Sequence, residues 1–153
     1  MPLPASVPGR LWLAGKRYVC PDPASAISSV GASVVVCLCE SHEIEERYPG
    51  YIDWLDAAGP AAVWWPVPDL HAPPLESARS LIADVAAHLD EGRGVLAHCG
   101  AGMGRAGTLA AGVLLHYGVP LREALASVAD ARPGAGPEVG AQKDLLHALA
   151  EGG

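Results

Sequence analysis

Positive charge is scarce in this 153-residue chain. Lysine and arginine supply 10 side chains against 17 from aspartate and glutamate, so the net charge at pH 7 is −7. A surface with this balance repels nucleic acids and anionic membranes. We therefore expect neither as a partner, and any affinity for phosphate has to be local.

Patterns that bind metal ions or build disulfide scaffolds are also missing. The six histidines show no His-x3-His spacing, and the cysteines form no Cys-x-x-Cys pair. The sequence therefore predicts no metal ion and no other cofactor. The four cysteines are Cys20, Cys37, Cys39 and Cys99.

Long apolar runs are absent as well. The N-terminal residues 1–8 have no basic start and no apolar stretch of signal-peptide type, and no later segment reaches membrane-spanning length. We expect a monomeric cytoplasmic protein, where reducing conditions keep thiols free.

What the chain does have is an alternation of apolar strands and helical stripes. Half of its residues are hydrophobic, enough for one domain with an ordinary core. The alternation predicts an α/β fold: a single domain over residues 1–153 with a mostly parallel central sheet flanked by helices on both faces. The predicted strands are residues 10–15, 32–39, 61–67 and 94–98. The predicted helices are residues 23–30, 43–47, 51–57, 75–89, 106–117, 121–131 and 139–150.

A glycine-rich loop follows the last predicted strand. Cys99 begins it and Arg105 ends it, and between them lie Gly100, Ala101, Gly102, Met103 and Gly104. Three glycines let successive N–H groups point inward as an anion-binding nest, and the start of the next helix adds its positive dipole. Such a site lowers the pKa of a thiol, and Arg105 can bind two oxygens of one anion. The loop predicts phosphoryl transfer to Cys99; the alternative is a buried packing cysteine and a surface arginine.

The segment from His98 to Arg105 resembles the His-Cys-x5-Arg signature of the cysteine-dependent protein tyrosine phosphatases. It is most similar to the small atypical dual-specificity and cyclin-dependent-kinase-inhibitor-3-like branch. Residues 66–74 and residues 132–134 (Arg-Pro-Gly) extend the similarity over most of the chain. The resemblance implies a phosphatase fold and hydrolysis through a phosphocysteine.

The resemblance also implies roles for three residues. Cys99 would be the nucleophile, Arg105 would bind the phosphate oxygens, and Asp69 would be the general acid. Asp69 stands in a proline-rich loop about thirty residues before the cysteine, as in the family. The alternatives are an ordinary turn aspartate at this position, or a general acid at Asp53 or Asp56.

Three further residues have supporting roles with open alternatives. The ring of His98 is expected to bond the loop backbone, unless it is simply a satisfied buried histidine. Gln142 resembles a glutamine that positions the hydrolytic water, or it is an exposed helix residue. Glu40 follows the second strand and could orient Arg105, or it is an ordinary solvated glutamate.

The position after Arg105 departs from the family pattern. The family usually has serine or threonine there, whose hydroxyl helps the thiolate leave, and this chain has Ala106, with Thr108 two residues further on. The departure keeps open a phosphate-binding pseudophosphatase or interaction module with little turnover. Sulfur transfer or arsenate reduction, a third possibility, lacks the context of His98 and Asp69.

The loop also bears on the substrate. Its residues 100–104 are all neutral, whereas relatives that act on phosphoinositides tend to carry lysines there. The sequence therefore predicts a phosphoprotein or phosphopeptide substrate, with phosphotyrosine first and phosphoserine or phosphothreonine as further candidates. His71 and Met103 are expected to line the mouth of the pocket.

A second cysteine suggests a redox switch. Cys39 and Cys99 both fall at the carboxyl ends of predicted parallel strands, and neighbouring strands run about 4.8 Å apart. A disulfide between them would trap an oxidised Cys99 reversibly. Alternatively, Cys37 and Cys39 only fill space in the core.

Overall fold

The computed structural model of the chain describes residues 1–152. Its sheet has the strand order β1-β4-β2-β3, and every pairing is parallel. All residues of the two central strands are buried, which explains why apolar residues occupy consecutive positions there. The four predicted strands are confirmed; β2 and β3 are shorter than predicted, and β4 is one residue longer. They are β1 (Arg10–Gly15), β2 (Val34–Cys37), β3 (Ala62–Trp64) and β4 (Gly94–Cys99).

Helices connect the strands. They are α1 (Lys16–Val19), α2 (Pro23–Val30), α3 (Pro49–Ala57), α4 (Leu75–Asp90), α5 (Gly104–His116), α6 (Leu121–Ala131) and α7 (Gly140–Gly152). Two 3-10 helices, Ser41–Glu43 and Gly59–Ala61, complete the elements. The helix predicted at residues 43–47 is not formed: Glu43 ends the first of these 3-10 helices, and residues 44–47 form a turn. The four-residue α1 was not predicted, because so short a helix shows no apolar periodicity.

Local sequence signals explain the ends of α2. The side chain of Asp22 accepts a hydrogen bond from the N–H of Ser25, and Pro23 occupies the first turn, where its missing N–H costs nothing. Gly31 ends the helix with φ +77°, a left-handed conformation that glycine adopts freely. The chain then enters β2 directly.

Helices cover both faces of the sheet, as predicted. Residues of α4, α5, α6 and α7 form one apolar core with one face, and residues of α1, α2 and α3 form a second core with the other. Because side chains alternate along a strand, Val95, Ala97 and Cys99 of β4 lie on the α4–α7 face, whereas Leu96 lies on the α1–α3 face. Within residues 1–152, none of the helices has both the length and the apolar content needed to span a bilayer.

Candidate active site

The glycine-rich loop lies at the carboxyl edge of the sheet, between the end of β4 and the start of α5. Gly102 has φ +79°, and a Cβ there would lie 2.5 Å from the carbonyl carbon of Ala14. Only glycine fits this position. In the part of the chain that the structure describes, the N–H groups of residues 100–103 find no backbone acceptor. These N–H groups are therefore not committed to backbone hydrogen bonds of the fold.

Arg105 is held beside this loop by a buried ion pair. Its two terminal nitrogens donate to the two carboxylate oxygens of Glu43 at 2.8 and 2.7 Å, and one of them also donates to the carbonyl of Val67 at 2.8 Å. Only 6% of the residue is exposed. Burial opposes the charged form, but the hydrogen bonds and charge of Glu43 outweigh it and keep the pKa of Arg105 above its ordinary value.

One nitrogen of Arg105 has no partner. Its Nε is buried and makes no hydrogen bond within residues 1–152. A buried N–H without an acceptor costs free energy. Since the fork is already oriented by Glu43, this free donor fits the oxygen of an incoming anion.

The prediction that Glu40 orients Arg105 is wrong, because Glu43 does so. The 3-10 helix Ser41–Glu43 places Glu43 one tight turn beyond Glu40. Glu43 also accepts a hydrogen bond from the N–H of Glu40 at 2.8 Å, whereas the Glu40 carboxylate contacts the exposed ring of His42. The Glu-x-x-Glu spacing is a capping pattern that could have indicated this turn.

Asp69 lies at the same site. Its carboxylate is 70% exposed and stands 3.5 Å from the terminal nitrogen of Arg105. It accepts a hydrogen bond from the N–H of Leu70, whose φ of +61° is unusual for a residue with a Cβ. The rivals Asp53 and Asp56 lie exposed on α3 and do not line the cleft.

His98 connects the loop to the far face of the sheet. Its Nδ1 lies 3.3 Å from the carbonyl oxygen of Cys99, and its Nε2 lies 2.6 Å from the hydroxyl of Tyr51. A carbonyl only accepts, so Nδ1 carries the hydrogen and Nε2 accepts from Tyr51. The predicted bond to the loop backbone is therefore present. Sequence reasoning missed Tyr51, although an aromatic hydroxyl on an apolar helix face signals a buried partner.

Gln142 is buried rather than exposed, and both ends of its amide are engaged. Its Nε2 donates to the carbonyl of His71 at 3.1 Å, and its Oε1 accepts from the N–H of Glu138 at 2.7 Å. It thus joins α7 to the loop that carries Asp69. The side chain of Glu138, not that of Gln142, lines the cleft, and it lies against Gly104.

Two basic residues hold the loop from outside: Arg132, from the Arg-Pro-Gly segment, and Lys16, which the sequence did not indicate. Arg132 donates to the carbonyl of Ala101 at 2.8 Å, and the backbone N–H of Lys16 donates to the carbonyl of Gly100 at 2.9 Å. The Lys16 ammonium also donates to the backbone carbonyl of Glu43 at 3.2 Å. These contacts fix the loop before any ligand arrives.

The loop opens into a cleft of about 620 Å³. Cys99, Asp69 and Arg105 share it with Met103, as expected. His71 lines instead a small cavity of about 30 Å³ behind Arg105.

No free hydroxyl stands at the start of α5. Ala106 is fully buried in the core. The hydroxyl of Thr108 donates to the carbonyl of Gly104 at 2.7 Å and is thereby committed to its own helix.

The prediction of a disulfide between Cys39 and Cys99 is wrong for this geometry. Cys99 packs on the α4–α7 face, whereas Cys39 packs on the α1–α3 face. Side chains on opposite faces of a sheet cannot bring their sulfur atoms to bonding distance without backbone movement. All four cysteines are free thiols.

Comparisons with known proteins agree with this architecture. The family model described as "PTP-SAK: Swiss Army Knife protein, DSP-PTPase phosphatase domain" matches residues 5–146. The active form of Tk-PTP is 28% identical, with a TM-score of 0.72 over 97% of this chain and 99% of that chain. A mutant form of Tk-PTP is 31% identical, with a TM-score of 0.74 over 94% of this chain and 91% of that one.

Human DUSP28 has the same fold at lower identity. It is 21% identical, with a TM-score of 0.73 over 96% of this chain and 94% of that chain. A search of curated proteins found no match.

Proposed function

This chain belongs to the DSP-PTPase phosphatase domain family, and on that premise we propose that it hydrolyses phosphotyrosine in proteins through a phosphocysteine on Cys99. One observation carries the proposal most directly. Arg105 lines the cleft that Cys99 also lines, its guanidinium is fixed by Glu43, and its Nε has no hydrogen-bond partner within residues 1–152. That arrangement suits a tetrahedral dianion placed above the thiol.

The first step transfers the phosphoryl group to sulfur. The Cys99 thiolate attacks phosphorus, an S–P bond forms, and the bond to the leaving oxygen breaks. Arg105 and the free N–H groups of residues 100–103 stabilise the equatorial oxygens, whose charge persists in the transition state. Asp69, exposed in the cleft 3.5 Å from Arg105, donates the proton that the leaving oxygen needs.

The second step releases phosphate. Water attacks phosphorus, the S–P bond breaks, and the Asp69 carboxylate accepts the proton from water. The hydrogen bond from His98 to the carbonyl of Cys99 holds the nucleophile in place through both steps.

The preference for phosphotyrosine rests on the walls of the cleft. Leu70, 52% exposed, and Met103 provide apolar contacts beside Asp69. An aromatic ring that carries the phosphate can pack against such side chains. Since residues 100–104 add no positive charge, the loop suits a single phosphate.

A second candidate is a phosphate-binding protein with little turnover. Ala106 is buried, and the Thr108 hydroxyl is committed to its own helix, so α5 offers no hydroxyl to the departing thiolate. In this case phosphocysteine accumulates. Ala106→Ser should then accelerate its breakdown, whereas the substitution leaves the rate unchanged if the hydroxyl is not needed.

Hydrolysis of para-nitrophenyl phosphate in EDTA, with and without vanadate, tests the proposal. Steady vanadate-sensitive turnover that is lost in Cys99→Ser supports it, because a serine hydroxyl stays protonated at neutral pH. A single burst with trapped phosphocysteine supports the second candidate. Cys99→Ser with activity within tenfold of wild type would overturn the mechanism. Phosphotyrosine and phosphoserine peptides of the same sequence then test the substrate preference.

A further inference from the structure

Three of the four cysteines lie on the face of the sheet that the proposed reaction does not use. The sulfur atoms of Cys37 and Cys39 and a ring nitrogen of His98 all lie within 4.8 Å of one another. All three residues are completely buried. Neither thiol has a role in the transfer of phosphate, so this cluster calls for a separate explanation.

Strand register brings the cluster together. Cys37 pairs directly with His98 across β2 and β4, and Cys39 lies two residues further along on the same face. The Cys37 thiol stands 3.9 Å from the carbonyl of Cys39.

The tautomer of His98 suits a metal ligand. Its Nδ1–H is bonded to the carbonyl of Cys99, so Nε2 carries the lone pair, which now accepts the Tyr51 hydroxyl and has to release it to bind a metal ion. Histidines that bind metals usually donate their other N–H to a carbonyl or carboxylate in this way. Tyr51 belongs to the same core as the two cysteines.

We propose that Cys37, Cys39 and His98 form a binding site for a thiophilic divalent cation of the Zn²⁺ class. Two thiolates and one imidazole are ligands that this class prefers. Tetrahedral zinc with ordinary Zn–S and Zn–N bonds separates its ligand atoms by about 3.5–3.8 Å. Atoms already within 4.8 Å reach that spacing by small side-chain rotations.

Binding exchanges protons for the cation, without oxidation or reduction. Two S–H bonds break, two protons pass to solvent, and two S–metal bonds form.

A surface groove lies on the same side of the sheet as the cluster. The groove of about 490 Å³ is lined by Cys20 and Tyr51, together with residues around the start of α3. Tyr51 is also the residue whose hydroxyl contacts Nε2 of His98, so the groove and the cluster share one side chain.

The site would regulate the catalytic loop through His98. A cation on Nε2 replaces the Tyr51 hydrogen bond and makes Nδ1–H a stronger donor to the carbonyl of Cys99. This regulatory consequence rests on the proposed phosphatase activity, whereas binding of the cation does not.

Cobalt substitution tests the site without reference to activity. In Cys99→Ser, which removes the competing thiolate of the cleft, one equivalent of Co²⁺ should give a thiolate-to-cobalt charge-transfer band that one equivalent of Zn²⁺ abolishes. The band should be lost when Cys37→Ala or Cys39→Ala is added to this variant. Cys20→Ala, a matched control in the same core, should retain it.

Other results would overturn the assignment. No band in Cys99→Ser, or a band that survives both Cys37→Ala and Cys39→Ala, would show that these thiols do not bind the cation. To separate a lost ligand from a lost fold, the circular dichroism of each variant is compared with that of wild type. In wild type itself, Zn²⁺ should raise the urea midpoint in a concentration-dependent manner, and an unchanged midpoint would also count against the site.

Discussion

At the scale of single residues, the geometry of the cleft depends on the contacts that position a few side chains. Arg105 reaches its position because Glu43 accepts from both ends of its fork, with help from the carbonyl of Val67. His98 reaches its position because Cys99 and Tyr51 each engage one ring nitrogen. We expect substitutions at these residues to change the geometry of the cleft more than the stability of the fold.

Asp69→Asn should lower kcat by about 10²–10⁴-fold for aryl phosphates with poor leaving groups, the usual contribution of a general acid. The loss should shrink as the leaving group becomes more acidic, because its oxygen then needs no proton. Asp53→Asn, an exposed carboxylate on α3, is the matched control and should behave as wild type. A deficit that does not vary with leaving-group pKa would mean that Asp69 is structural.

Glu43→Gln should lower kcat/KM by about 10- to 100-fold, equivalent to one charged hydrogen bond. The amide accepts from Arg105 at only one oxygen, so the fork loses its orientation. Glu40→Gln is the control, since the Glu40 carboxylate contacts the exposed ring of His42 and not Arg105. Equal losses in the two variants would contradict the assignment of Glu43.

The same ion pair should make stability depend on pH. Burial raises the pKa of Glu43, but the hydrogen bonds from Arg105 outweigh it and bring the pKa below its ordinary value of 4.5. The pair therefore stabilises the fold above about pH 4.5, and this contribution is lost as the pH falls through the lower folded-state value. Urea unfolding between pH 7 and 3 should show a steeper fall for wild type than for Glu43→Gln. Parallel profiles would show that the pair adds nothing.

At the scale of elements, the start of α5 lies close to the backbone of a neighbouring loop. A Cβ on Gly107 would lie 2.8 Å from the Cα of Gly136, in the loop that leads to Glu138. Gly112 meets the flexible side chains of Ile82 and Leu149, and Gly50 of α3 meets nothing within 4 Å. The start of α5 is therefore the tightest helix contact near the cleft.

Gly107→Ala should lower the free energy of unfolding by about 1–3 kcal/mol, as overpacking usually does. Since the displaced loop carries Glu138 and lies beside the cleft, vanadate affinity should fall as well. Gly50→Ala is the matched control and should be neutral or slightly stabilising, because alanine favours a helix. Thermal unfolding and vanadate inhibition of both variants measure these effects, and equal behaviour would contradict the close approach.

At the scale of the whole molecule, the two cores share one sheet. Trp12 and Trp64 pack against the α1–α3 core and Trp65 against the α4–α7 core, while β2 and β4 contribute residues to both. One core cannot lose its order without exposing the other. We therefore expect a single cooperative transition.

Tryptophan fluorescence and far-ultraviolet circular dichroism should give coincident urea transitions. Fluorescence reports chiefly on the α1–α3 core, and circular dichroism is dominated by the long helices of the opposite face. Transitions with different midpoints would show that the two layers unfold separately.

Much of the fold and part of the site followed from the sequence, because their signals are contiguous. The strand, loop and helix around Cys99 occupy adjacent positions, and the glycines fix the conformation of the loop locally. The apolar stripe of α4, repeated with helical spacing, was likewise visible in the sequence of residues 75–89. Segments of three or four residues, such as α1, carry too few positions to show a period.

The sequence by itself therefore determined the parallel α/β layering, the anion loop and the family. Only the tertiary structure decided which side chains complete the site: Glu43 rather than Glu40 on Arg105, and Tyr51 and two cysteines around His98. These partners come from segments 47–62 residues away, brought together by the register of β2 with β4. Side-chain alternation then separated Cys39 from Cys99. The register of two strands, and the face of the sheet on which each side chain lies, depend on how the strands pair. No local stretch of sequence carries that information.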